Sequence, residues 1–78
     1  MKLKQIEIAF LIENIPDGEV KRKLKKFSGI PDLTFSDNEK EFVLNILENL
    51  LTSKGLDEAG EVNKLGEFID DLIGKFAA

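Results

Sequence analysis

The densest chemistry in this chain is cationic. Lys21-Arg22-Lys23-Leu24-Lys25-Lys26 puts five positive side chains into six residues. A cluster of this kind either neutralises phosphates, releasing counterions, or meets a carboxylate-rich protein surface. For nucleic acid the surroundings are poor. Arg22 is the sole arginine, Tyr and Trp are absent, and Phe27 is the one aromatic beside the run, so bases find little to stack on. The remaining reading of the run is a solvated helix face that also pairs with acids elsewhere in the chain.

The acidic counterpart is Glu67, Asp70 and Asp71. Glu67 and Asp71 lie four apart, one above the other on a helix, where they could hold a hard cation or pair with the basic run. Calcium and magnesium need more oxygen ligands in a closer cage. Residues 57–68 fail the EF-hand pattern, with Ala59 third, Val62 sixth and Phe68 twelfth. Ser36-Asp37-Asn38 matches a string found in penicillin-binding enzymes, but the companion Ser-x-x-Lys and Lys-Thr-Gly elements are missing. No segment has the glycine spacing of a phosphate-binding loop.

Histidine and cysteine are both absent. A Ser-His-Asp or Cys-His arrangement is therefore impossible within the chain, as are disulfides and thiolate chemistry, and the commonest zinc ligands are gone. The expectation is a non-enzyme with no cofactor and no metal. Charge is also unevenly spread. Residues 1–31 carry seven bases against four acids, while residues 32–78 carry four bases against eleven acids. The folded surface should have a basic and an acidic region, or the two halves should attract each other.

Four segments must position these groups. Ser36-Asp37-Asn38-Glu39 has the form of a capping box, opening a helix over 36–54. On it Phe42, Val43, Ile46, Leu47, Leu50 and Leu51 make a broad apolar stripe. Gly55 stands where a left-handed residue would close that helix. A partner helix is expected over 57–76, with Asp57 as N-cap and Val62, Leu65, Ile69, Leu72 and Phe76 as a narrow seam widened by Phe68 and Ile73. Gly66 falls on the same face, where it either is merely tolerated or allows a close helix–helix approach. Residues 36–76 thus read as a helical hairpin.

The front of the chain is more ambiguous. Residues 2–14 suit a helix, but Ile6, Ile8, Phe10 and Ile12 also alternate as in a strand. The run Ala9–Ile12 is apolar on every side and should be buried in either form. Pro16 ends the element. A short helix over 18–28 follows, with Val20, Leu24 and Phe27 as its thin inner stripe. Ile30, Leu33 and Phe35 should tuck into the core from the linker over 29–35.

The fold expected is a small all-α, four-helix single domain over residues 1–78 with a C-terminal helical hairpin; the competing fold is α+β with an N-terminal strand at residues 5–12. A net charge of −4 and the lack of any stretch near the roughly 20 apolar residues of a membrane span point to a cytoplasmic protein. Compact acidic helical proteins without His or Cys are common among small bacterial and phage regulators and inhibitors, an analogy of class alone. The function expected is docking onto another protein, as a regulator, inhibitor or assembly subunit. Two surfaces are candidates: the basic face of Lys21, Arg22, Lys23, Lys25 and Lys26, and an apolar seam left uncovered near Phe68, Ile73 and Phe76. A second copy, making a homodimer, is another way to cover that seam. The alternative function is nucleic-acid binding through the basic helix at residues 19–27.

Overall fold

Each segment of regular structure in the computed structural model, which describes residues 2–26 and 34–77, is a helix: α1 (Gln5–Asn14), α2 (Glu19–Lys26), α3 (Asp37–Lys54) and α4 (Lys64–Ala77). The all-α expectation holds, and residues 5–12 are not a strand. The backbone divides into two compact units, Met1–Glu39 and Lys40–Ala78, with the boundary inside the first turn of α3.

In the front unit, α1 starts with half a capping box. The Glu7 carboxylate accepts the Lys4 amide at 2.7 Å, while Lys4 has no side-chain oxygen to return the favour. Ile15, held extended before Pro16, closes the helix through its amide to the Leu11 carbonyl. Alternation loses to helical spacing because Leu3, Ile8, Leu11 and Ile15 share one buried stripe. Glu7 lies on that stripe at only 4 % exposure, its carboxylate held by the Lys4 amide.

The expected deep burial of Ala9–Ile12 is corrected. Four consecutive residues go all the way round a helix, so one side must look outward. Leu11 is buried, Phe10 and Ile12 are half-buried, and Ala9 is exposed. Ile6 is 66 % exposed. Helix α2 packs against α1 and buries Val20 and Leu24, four apart. Phe35 is also buried. Phe27, Ile30 and Leu33, expected in the core, lie outside the described residues.

Helix α3 begins as its sequence requires. The Glu39 amide donates to Ser36 Oγ at 3.2 Å and the Ser36 amide donates to Glu39 Oε1 at 2.8 Å. Further along, in the back unit, Val43 and Leu47 are fully buried. Ile46, Leu50 and Leu51 are half-buried, and Phe42 faces outward.

The helix expected from residue 57 begins instead at Lys64, and the N-cap is Asn63. Its Oδ1 accepts the Gly66 amide at 2.8 Å. Residues 55–63 form a small ribbon of their own. Leu56 and Val62 make an antiparallel bridge, and the Asp57 amide donates to the Glu61 carbonyl at 2.8 Å. The Gly60 amide reaches back to the Asp57 carbonyl at 3.0 Å. Gly60 has φ +81°, so this is a tight turn followed by a left-handed glycine, the geometry of a three-residue hairpin loop. Asp57 caps the turn, not a helix: its Oδ1 accepts the amides of Ala59 and Glu61 at 2.9 and 3.0 Å.

Gly55 is not left-handed, against expectation; the described glycine with positive φ is Gly60. Gly55 is required for space. A Cβ there would lie 2.9 Å from the Gly66 Cα and 2.8 Å from the Leu51 carbonyl oxygen. A Cβ on Gly66 would overlap the Gly55 carbonyl oxygen and come within 2.7 Å of Val62 Cγ1. The two glycines press backbone on backbone. The ribbon is tied further by the Asn63 amide to the Gly55 carbonyl at 2.9 Å and Asn63 Nδ2 to the Lys54 carbonyl at 3.1 Å.

Candidate functional site

The basic run becomes helix α2, and helical geometry sorts its charges. Val20 and Leu24 turn inward, so positions 22, 25 and 26 take the opposite side while 21 and 23 flank the buried stripe. Arg22, Lys25 and Lys26 are exposed and Lys21 and Lys23 are half-buried.

Lys23 is committed to the fold. Its Nζ pairs with Glu39 Oε1 at 3.1 Å and stands 4.9 Å from the centroid of the Phe35 ring, within cation–π range. It therefore joins α2 to the start of α3. Glu39 answers both the backbone and the lysine: the hydrogen bond from the Ser36 amide, followed by the Lys23 charge, lowers its pKa below the ordinary carboxylate value. Lys21 pairs with Asp17 at 3.3 Å. Asp17 is almost fully exposed there, and such surface pairs contribute about 0–1 kcal/mol, so Lys21 can leave it for a better acid.

The Arg22 backbone amide donates to the Gly18 carbonyl at 3.0 Å and its Nε approaches the same oxygen at 3.4 Å. Arg22, Lys21 and Lys25 line an open groove of about 400 Å³ with Asp17 and Gly18. Three cations thus face one carboxylate across a concave strip. The expected five-residue face contracts to Lys21, Arg22, Lys25 and Lys26, because Lys23 belongs to the packing.

The second expected surface is altered. Phe76 is 1 % exposed, a core residue unavailable for docking, and Phe68 and Ile73 are half-buried. The seam keeps Gly66, Ile69, Leu72 and Phe76 as expected and is shortened at its front, because α4 starts late and Gly66 lies on Gly55. Val62 and Leu65, expected inside, are exposed along with Leu56. The signal for this was available in the Asp57-to-Gly60 turn flanked by Leu56 and Val62, a hairpin pattern.

Glu67, Asp70 and Asp71 are exposed along α4, and among the described residues no group of acids is gathered closely enough to hold a metal ion. Among them too, no helix is long and apolar enough to cross a membrane. Ser36 is occupied as a helix cap. Set against known proteins, the chain matches no family model, no curated protein and no solved structure.

Proposed function

We propose that this protein is a non-enzymatic, cytoplasmic interaction protein, a regulator, inhibitor or assembly subunit, that docks the outer face of α2 onto an acidic surface of another protein. One observation carries the reading: Arg22 and Lys25 are exposed along the groove they line with Lys21, while the packing role in the run is taken by Lys23. A positive strip of this kind speeds encounter with an acidic partner and sets register on it. Protein is favoured over nucleic acid because no Tyr or Trp exists to stack bases and Asp17 sits inside the strip.

The test is a pull-down from the native host's lysate with and without nuclease, comparing the natural chain with Arg22→Glu/Lys25→Glu. These two side chains are exposed, so far-UV circular dichroism should not change. The expected result is a stoichiometric protein that survives nuclease and is lost on charge reversal. Capture unaffected by reversal refutes the face. Nuclease-sensitive material lost on reversal refutes a protein partner and assigns the strip to nucleic acid.

A further inference from the structure

Of the five large hydrophobic side chains exposed among the described residues, three fall within ten positions: Leu56 at 38 %, Val62 at 51 % and Leu65 at 38 %. Single exposed leucines are ordinary, whereas a local group of them marks an interaction surface. These three stand on and beside a ribbon with several bonds of its own. Leu56 and Val62 are bridged across the ribbon, its turn is held by Asp57, and its base is locked by the Gly55–Gly66 contact. A backbone already bonded in this way has little loop ordering left to lose when a partner covers it.

The charges beside them choose the partner. The tip beyond the Leu56–Val62 pair carries Asp57, Glu58 and Glu61, all exposed, with Lys54 and Lys64 set back at the two ends of the ribbon. Two copies meeting tip to tip would bring these carboxylates against their own images, which disfavours a symmetric dimer here. A basic partner gains from the same carboxylates. We propose that the 55–65 ribbon is a second docking site, opposite in charge to α2, which takes a basic amphipathic helix of another protein. Its apolar side would cover Leu56, Val62 and Leu65, and its lysines or arginines would meet Asp57, Glu58 and Glu61. This goes beyond the reading of α2 and does not depend on it.

The probe is a short fluorescent Lys/Leu amphipathic helix, with its Glu/Leu counterpart as control, titrated against the full chain by anisotropy and by amide chemical shifts. The expected result is binding of the Lys/Leu helix with shifts centred on residues 56–65. Both Glu58→Lys/Glu61→Lys and Leu65→Ser should weaken it by about tenfold or more. Neither substitution removes a bond that builds the ribbon, since Glu61 contributes only its backbone. Arg22→Glu/Lys25→Glu should leave this binding at least as strong, which separates the two surfaces. The proposal is overturned by no binding, by equal binding of the Glu/Leu helix, by shifts lying elsewhere, or by variants that bind like the natural chain. It is also overturned if the natural chain dimerises and Leu65→Ser abolishes the dimer, for then the occupant is a second copy.

Discussion

Replacing one glycine in α4 with alanine should destabilise the protein while the same change eight residues later should stabilise it. Glycine in a helix interior is about 0.8–1 kcal/mol worse than alanine, so propensity alone makes both Gly66→Ala and Gly74→Ala favourable. At Gly74 nothing lies within 4 Å of the added methyl, so no clash opposes the gain, which in this last turn should be about 0.5 kcal/mol. At Gly66 the methyl overlaps the Gly55 carbonyl oxygen, with Val62 Cγ1 at 2.7 Å. Val62 can rotate away; a backbone carbonyl whose oxygen also accepts the Asn63 amide cannot. Overpacking costs about 1–3 kcal/mol, with the rigid obstacle favouring the upper part of that range. Gly66 lies in the first turn, where alanine gains less than in the interior. The net expectation is a loss of about 1–2 kcal/mol. Urea and thermal melts followed by far-UV circular dichroism resolve this easily, since 1 kcal/mol moves the midpoint of a domain this small by about 4–8 °C. If Gly66→Ala stabilises the chain as Gly74→Ala does, the backbone-on-backbone contact is not there and the account of the ribbon fails.

Two other stability predictions rest on single residues. Leu47, fully buried on α3, should lose about 2–5 kcal/mol on Leu47→Ala; a loss below about 1 kcal/mol in a denaturant melt would remove it from the core. Glu39 has its native pKa lowered by the Ser36 amide and Lys23, so its ionic contribution is complete above the ordinary glutamate value of about 4.3. It is lost as pH falls through the lower native value. Glu39→Gln should therefore be less stable than the natural chain at neutral pH, with the gap closing in acid; a gap independent of pH would contradict the assignment.

Much of the fold was legible because its signals are local. Ser36 and Glu39 are three apart and cap each other, Pro16 stops α1 at the residue before it, and Val43 and Leu47 recur at helical spacing. What escaped depends on geometry that residue type does not specify. Asp57 suits a helix N-cap and a turn equally well, and only the left-handed Gly60 decides for the turn. Once α4 starts at Lys64, Val62 and Leu65 leave the seam, while Gly66 keeps the place its spacing predicts. At the candidate site the charges were plain, but not their division. Lys23 is withdrawn by Glu39, sixteen residues further along, a pairing that no local pattern announces.

The ribbon between α3 and α4 also bears on the order of folding. Its bonds join residues no more than nine apart, and loops of about ten residues close in roughly 10–100 ns. Starting a helix is the slow part of making one, with a nucleation constant near ~10⁻³, and Asn63 delivers a capped first turn as soon as the ribbon closes. The ribbon can therefore supply the nucleus from which α4 grows. Gly66→Ala, which props that nucleus open, should accordingly take most of its effect from the refolding arm of a kinetic trace and leave the unfolding arm nearly untouched.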